Sequence, residues 1–225
     1  MSMSVDEVVA TRRSVRAFLP DPIDLDLLRD LIGQATRAAS GGNLQPWHLH
    51  IVAGEAIERF RAELAARLAE SPMGDEPEYP VYPRGLGEPY KARRFGIGEA
   101  MYARLGIPRE DKAARLEWFA KNYDFFGAPV ALFCFVDRTH GPPQWSDCGM
   151  LLATLMLLLR GHGLDSCAQE AWTVHHRTVA KFLGEGPERM LFTGMAIGKR
   201  DPKAPINLFD VPRAPVDEVV RFHTA

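Results

Sequence analysis

The chain has 225 residues, of which 46% are hydrophobic and 25% charged, an ordinary composition for a globular protein with a buried core. Its formal net charge of −2 argues against a nucleic-acid-binding protein or a membrane-surface protein, because both kinds of partner attract basic chains. The amino terminus has no apolar signal segment, and Cys134, Cys148 and Cys167 have neither disulfide nor zinc spacing. We therefore expect a soluble cytoplasmic protein, of one domain or two small ones, with no metal site.

The first seventy residues contain three helix signals and one strand signal. Ser4 and Glu7 have the spacing of a capping box, which predicts a short helix leading into the sequence TRRSVRAF at residues 11–18. Asp24 is suited to cap a second helix, whose apolar face comprises Leu28, Leu31, Ile32, Ala35 and Ala39. After SGGN, the alternation in WHLHIV predicts a half-buried strand over residues 47–52. A third helix is indicated by the spacing of Ile57, Phe60, Leu64 and Leu68.

Residues 71–98 are rich in proline, glycine and tyrosine and show no periodicity. Because a long loop in a compact domain is usually functional or mobile, this segment is either a lid over a ligand or a disordered surface insertion. Its aromatic side chains could stack on an aromatic ligand: Tyr79, Tyr82, Tyr90 and Phe95. Phe125 and Phe126 are a second candidate pair for this contact, or else core residues.

The second half of the chain alternates buried strands with helices. The pattern predicts helices over residues 108–123, 144–162 and 175–183, the second apolar nearly all round and hence central or at a subunit interface. Continuous apolar runs predict strands buried on both faces at 129–137 and 190–198, with a short strand or turn at 164–170. Frequent prolines make residues 201–215 an extended, non-helical segment. We expect its apolar side chains to pack in a groove, which most commonly lies on a partner subunit.

Arg12, Arg13 and Arg16 lie within five positions, with Ser14 among them. They form either a solvated basic turn or a phosphate site, in which guanidinium groups and a hydroxyl donate to one anion. The sequence SGGNLQPW at 40–47 would complement a phosphate site, because glycine permits close approach to a planar ligand and amides can bind a heterocycle edge. Common nucleotide, hydrolase and metalloprotease motifs are absent from the sequence, so the chemistry of an enzyme here would belong to a cofactor.

Four blocks together resemble the FMN-dependent nitroreductase family, and most closely its nitrobenzoate-reductase-like branch. They are TRRSVRAF, SGGNLQPW, AQEAW at 168–172, and GMAIGKRDPKAPIN at 194–207 followed by PRAP at 212–215. The resemblance implies a single domain over residues 1–225, with an α+β fold in which helices flank a central mixed or antiparallel sheet. It also implies an intertwined homodimer with FMN at the subunit interface, in which residues 201–225 form an arm over the partner.

The resemblance carries FMN contacts onto this chain residue by residue. The amino-terminal block of the family binds the phosphate, ribityl chain and ring edge, which implies these roles for Arg12, Arg13, Ser14 and Arg16. In the family a second loop contacts the FMN of the partner subunit, which implies this contact for Ser40, Gly41 and Asn43, with Gln45 nearby. The resemblance also implies that the backbone of Gln169 and Glu170 contacts the pyrimidine edge of FMN and that Arg213 contacts its phosphate. Val211 replaces a lysine frequent in relatives, so the phosphate site has one positive charge fewer, and Ala39 replaces a frequent proline.

The implied activity is a ping-pong reaction without a catalytic side chain: NADH or NADPH reduces FMN, which then reduces a nitroaromatic, a quinone or another electron-poor small molecule. One alternative is another reaction of the superfamily, such as reductive dehalogenation. A second is a protein that stores or senses FMN without turnover. The sequence distinguishes neither NADH from NADPH nor one acceptor from another.

Overall fold

The computed structural model describes residues 3–224, in which helices cover both faces of a four-stranded sheet. The strands are β1 (His48–Ala53), β2 (Val130–Asp137), β3 (Asp165–Gln169) and β4 (Arg189–Gly198). Their spatial order is β1-β2-β4-β3 and every pairing is antiparallel, so β1 and β3 form the two edges. The predicted α+β architecture is confirmed. Met1, Ser2 and Ala225, the ends of the predicted domain and arm, lie outside the described residues.

Each face of the sheet packs against its own set of helices. Strand β2 is almost wholly buried, as predicted, and its alternate side chains divide between two apolar cores. Phe133 and Phe135 point to the side of α3 (Glu55–Glu70) and α7 (His176–Leu183). Leu132 and Cys134 point to the opposite side, where α2 (Leu25–Ala35) and α6 (Pro142–Gly161) lie. Among residues 3–224, no helix is long and apolar enough to cross a membrane.

The amino-terminal helices begin where their capping signals predict. Helix α1 (Val5–Thr11) has a complete capping box between Ser4 and Glu7. Helix α2 is capped by the Asp24 carboxylate, but it ends four residues before Ala39, which is exposed. The hydroxyl of Thr36 donates to the Gly33 carbonyl at 2.7 Å, and this side-chain bond competes with continuation of the helix.

The predicted loop over residues 71–98 is wrong from Tyr90 onward, where α4 (Tyr90–Arg104) begins. No side chain of α4 is fully buried, so the sequence has no apolar periodicity to reveal the helix. Polar contacts stabilise it instead: Arg115 donates to the Glu99 carboxylate at 2.6 Å and lies over the Tyr102 ring. Arg115 belongs to α5 (Lys112–Ala120), which begins after Asp111 and is followed by a 3₁₀ segment (Lys121–Gly127).

The carboxy-terminal segment is only partly extended. A 3₁₀ turn (Pro205–Leu208) interrupts the segment 201–215 that the prolines predicted to be non-helical, and the short α8 (Val216–Val219) follows it. Proline is compatible with the first position of such a turn, because its missing N–H has no partner there. Ile206 is 4% exposed and packs in the core of its own chain rather than in a partner groove. From Leu208 onward most apolar side chains are exposed: Leu208, Val211, Val216, Val219, Val220 and Phe222.

The buried His175 makes folding stability depend on pH. Its ring lies edge-on to Tyr123 at 4.5 Å, and neither ring nitrogen has a hydrogen-bond partner among residues 3–224. Burial therefore lowers the pKa of His175 below its usual 6.5, although the nearby Asp75 carboxylate opposes the shift. As the pH falls below about 6.5, the unfolded chain takes up a proton that the folded chain does not, and stability falls until the folded-state pKa is reached.

We expect His175→Phe to reduce this loss of stability, since phenylalanine fills a similar volume without a titrating group. Urea unfolding midpoints at pH 7 and pH 5 measure the effect. The replacement of exposed His223 by glutamine serves as the control and should keep the pH dependence of the original chain. An equal drop in the midpoint for His175→Phe and the original chain would show that other groups cause it.

Candidate functional site

The arginine segment lies along the free edge of β3. Ser14 forms a parallel bridge with Ser166, and the Val15 N–H donates to the Ser166 carbonyl at 3.1 Å. Val15 and Phe18 are buried in the core beside this edge. The arginines before and after Ser14 and Val15 therefore project from a backbone that is bonded to β3, rather than from a solvated turn.

Two of the three arginines carry uncompensated positive charge. Arg12 and Arg16 are partly buried, and neither has an ion-pair partner within the described part of the chain. Both guanidinium groups lie close enough to Cys167 on β3 to act on its thiol. Burial raises the pKa of Cys167 to about 11, while the Arg16 and Arg12 charges partly oppose that shift and the Glu170 carboxylate adds to it. Positive charge thus accumulates beside the carboxyl-terminal half of β3.

A buried ion-pair network supports the start of the arginine segment. Asp165 is 3% exposed and accepts from Arg200 through both carboxylate oxygens, at 2.5 and 2.6 Å. Arg160 lies 3.5 Å from the same carboxylate and also donates to the Thr11 hydroxyl. Arg200 donates in addition to the Thr11 carbonyl at 3.4 Å. Asp165 therefore pairs with Arg160 and Arg200 behind the segment, and not with Arg12 or Arg16.

Arg13 differs from its neighbours because the carboxy-terminal segment contacts it. Its guanidinium pairs with Asp210 at 3.0 Å and donates to the Asn207 carbonyl at 3.4 Å. Arg213 lies three positions beyond Asp210 in the sequence and is exposed. Its side chain donates to the carbonyls of Val211 and Pro212, within its own segment.

Gln169 and Glu170 lie at the end of β3, near the arginine segment. The Gln169 side chain is 2% exposed and donates to both oxygens of Asn122, at 2.8 and 3.2 Å. The side-chain amide oxygen of Gln169 accepts from the Trp172 indole N–H at 3.4 Å. All of these bonds point inward, so only the backbone of Gln169 is available to a ligand. Glu170 is exposed and its carboxylate is one of the charges that act on Cys167.

The Ser40 loop lies at the opposite edge of the sheet, immediately before β1. Ser40 accepts from the Gln45 N–H at 3.1 Å, and the Gly41 N–H donates to the buried Asp147 carboxylate at 3.2 Å. Asn43 and Gln45 have left-handed backbone conformations, with φ of 56° and 49°. Strands β2 and β4 separate this edge from β3, a distance of roughly 14 Å at ~4.8 Å per strand spacing. One chain therefore does not bring the predicted loop residues to its own arginines.

The aromatic candidates divide between core and surface. Phe125 and Phe126 are buried, which assigns both to core packing. Tyr79 donates its hydroxyl to the Phe192 carbonyl, and burial raises its pKa well above the usual value. A cavity of about 740 Å³ lies between residues 83–88 and α4. Its lining includes Pro83, Leu86, Lys91, Arg94, Phe95 and Glu99.

The residues of the arginine edge have the chemistry that anion binding requires. Half-buried guanidinium groups beside a serine hydroxyl match a phosphate monoester, which accepts several charged hydrogen bonds. The absence of a metal site stays a prediction. His50 pairs with Glu185 at 2.5 Å. Among residues 3–224, no group of three or more His, Cys, Asp or Glu side chains is placed to hold a metal ion. Sequence reasoning assigned no role to three supporting residues: Asn122, Asp165 and Asn207. Asn207 ends the block GMAIGKRDPKAPIN, but the sequence does not reveal the bonds of these residues, because most of their partners are distant in the chain.

Comparisons with known proteins give similarity over nearly the whole chain. Residues 9–199 match the model of a family described as "Nitroreductase family". The nitrobenzene nitroreductase of Ectopseudomonas oleovorans is 32% identical over 97% of this chain and 96% of its own length. The 4-nitrobenzoate reductase of Pseudomonas putida is 36% identical over 92% of this chain and 90% of its own length.

Solved structures give the same result. The FMN and NADPH-dependent nitroreductase NfnB from Sphigopyxis sp. strain HMH has a TM-score of 0.95 and 50% identity, covering 99% of this chain and 100% of its own. The FMN-dependent nitroreductase NfnB from Mycobacterium smegmatis, solved in complex with NADPH, has a TM-score of 0.91 and 32% identity, covering 97% of both chains. The described backbone therefore has close counterparts among experimental structures.

Proposed function

The chain belongs to the nitroreductase family, and from this membership we propose that it is an FMN-dependent NAD(P)H oxidoreductase that reduces nitroaromatic compounds, quinones or similar acceptors. The observation that carries the proposal is that the partly buried guanidinium groups of Arg12 and Arg16, in the same segment as Ser14, have no ion-pair partner among residues 3–224. They fit the phosphate and polar edge of FMN, because a buried cation without a partner is costly until an anion binds. NADPH is the proposed reductant, supported by the names of both NfnB relatives.

The residues have separate roles in this proposal. Arg12 and Arg13 hold the phosphate, Ser14 donates to the ribityl chain, and Arg16 lies at the ring edge. The backbone of Gln169 and Glu170 borders the pyrimidine ring, and Arg213 adds positive charge at the phosphate. The chemistry that FMN supplies when bound is transfer of a hydride from NAD(P)H to an electron-poor acceptor. The protein needs no acid or base for it, because a fixed cation beside the ring edge stabilises the negative charge that develops there.

We also propose a homodimer in which each FMN site combines two chains. The arginines lie at one edge of the sheet and Ser40, Gly41, Asn43 and Gln45 at the other, so a second copy must supply the loop. Helix α6 supports such a contact, since its inner side is buried while Gly149, Met150 and Ala153 are exposed on the other side. The exposed apolar residues after Leu208 give residues 201–225 the surface to cover the partner.

The acceptor is proposed to bind near residues 71–98, where Phe95 and Tyr82 supply aromatic surface. We retain one domain over residues 1–225. A cytoplasmic location is supported by the three free, buried cysteines. Reductive dehalogenation gains no support, because the iodotyrosine deiodinase structure that resembles the chain is only 21% identical and indicates the fold alone.

The visible spectrum of the purified protein tests this function. We expect a yellow protein that bleaches anaerobically when NADPH is added and recovers its colour with a nitroaromatic acceptor. Bleaching with NADH alone would reverse the proposed coenzyme preference. A yellow protein that neither reductant bleaches would favour the storage alternative, and a colourless protein that takes up no added FMN would contradict the proposal.

A further inference from the structure

Asn207 joins the two ends of the chain behind the arginine segment. Its side chain is 1% exposed and lies in the 3₁₀ turn that begins the carboxy-terminal segment. The amide nitrogen donates to the carbonyls of Ala17, at 2.7 Å, and Asp201, at 2.9 Å. The amide oxygen accepts from the backbone N–H of Arg16 at 3.0 Å. Both N–H groups and the carbonyl of this amide are therefore satisfied inside the protein.

These bonds act on two of the proposed FMN contacts at once. Through the Arg16 N–H and the Ala17 carbonyl, the side chain fixes the backbone from which the Arg16 guanidinium projects. The backbone carbonyl of Asn207 also accepts from the Arg13 guanidinium at 3.4 Å. A single buried residue thus sets the position of Arg16 and restricts the position of Arg13.

Anchoring of the turn does not by itself require this amide. The neighbouring Ile206 is 4% exposed and packs in the apolar core, and Arg104 donates to the Pro205 carbonyl at 3.2 Å. The Asp201 N–H donates to the Ala17 carbonyl at 3.0 Å, independently of Asn207. Burial of an amide has a desolvation cost. Since other contacts already hold the turn in place, we look for a role of the Asn207 amide other than anchoring the turn.

We propose that Asn207 is a positioning residue for the flavin: it holds Arg13 and Arg16 in the geometry that receives FMN. This role rests on the proposed function, since it requires FMN at the arginine edge. Asn207 itself need not touch the cofactor, because its amide bonds are already satisfied within the chain.

The test is a double-mutant cycle read as the Kd of FMN for the flavin-free protein, measured by quenching of flavin fluorescence. The variants are Asn207→Leu, which is similar in volume but cannot hydrogen bond, Arg16→Ala and the double variant. We expect each single change to raise Kd about tenfold or more. The double variant should bind within about threefold of the weaker single variant, because the two residues act as one unit.

A matched control separates positioning from general destabilisation. Ile206→Ala removes buried apolar contact from the same turn, so it should lower the unfolding temperature yet leave the Kd of FMN within about twofold. Asn207→Ser keeps one donor and one acceptor and should give an intermediate Kd. If Asn207→Leu does not fold, Asn207→Ser replaces it in the double-mutant cycle.

Three results would overturn the role of Asn207. They are an unchanged Kd in the Asn207 variants, effects that multiply in the double variant, and an Ile206→Ala variant that weakens FMN binding as much as Asn207→Leu. Failure of the function itself has a different signature: the original chain does not bind FMN, or Arg16→Ala binds it as tightly as the original chain does.

Discussion

Replacement of Arg12 and Arg16 together by alanine is expected to weaken FMN binding by roughly two to four orders of magnitude. Each arginine contributes at least one charged hydrogen bond in the proposed site, and each such bond contributes about 1.5–3 kcal/mol. The sum, about 3–6 kcal/mol, corresponds to that range because about 1.4 kcal/mol is a tenfold change in Kd. Titration of the flavin-free protein with FMN measures the loss directly.

The same double variant is expected to fold as well as the original chain. Neither arginine has an ion-pair partner within residues 3–224, so their removal leaves no buried carboxylate unpaired. Its free energy of unfolding should therefore change by less than about 1 kcal/mol. Arg59→Ala, on the exposed side of α3, is the control and should leave both quantities unchanged. FMN affinity equal to that of the original chain in the double variant would contradict the phosphate site.

Trp172→Ala is expected to lower the free energy of unfolding by about 3–5 kcal/mol, as for other large aromatic residues removed from a core. Trp172 is fully buried, stacks on Phe125 with ring centroids 4.6 Å apart, and lies edge-on to Phe133 at 5.3 Å. Its indole N–H also donates to Gln169, which loses that partner in the variant. Urea denaturation of the flavin-free protein measures the change without a contribution from the cofactor.

Trp172→Phe provides the matched comparison. It keeps an aromatic ring between Phe125 and Phe133 but removes the indole N–H, so we expect a loss of about 1–2 kcal/mol, from one hydrogen bond and the smaller ring. If both variants lose the same free energy of unfolding, the contribution of Trp172 comes from its hydrogen bond to Gln169 rather than from ring packing. A loss below about 1 kcal/mol for alanine would mean that this core relaxes around the gap.

The elements of the site that the sequence predicts are those whose partners lie close together in the chain. Arg12, Ser14 and Arg16 share one short segment, so their spacing raises a phosphate site as one of two interpretations, and the family blocks favour it over a solvated turn. The continuous apolar residues of β2 likewise indicate a strand covered on both faces, as the structure has it. Local patterns are reliable here because burial of a strand on both faces leaves no polar alternation.

The remaining features depend on contacts between distant residues. Asp210 pairs with Arg13 from the far end of the chain, so the sequence could not distinguish the paired arginine from the two unpaired ones. Helix α4 has no fully buried side chain, and the proline- and glycine-rich residues before it conceal its start. The separation of the Ser40 loop from the arginines depends on strand order, which no short motif encodes.

In the proposed homodimer, the placement of the arginines and the Ser40 loop at opposite edges of the sheet implies that defective copies can complement each other. A chain lacking Arg12 and Arg16 still has an intact Ser40 loop, and a chain altered in that loop still has its arginines. In a mixed dimer of these two chains, one site contains both defects and the other contains none. Random assembly from equal amounts would make half of all dimers mixed, so about a quarter of the sites would regain FMN. Two genes that each encode a colourless protein would then together produce a yellow one.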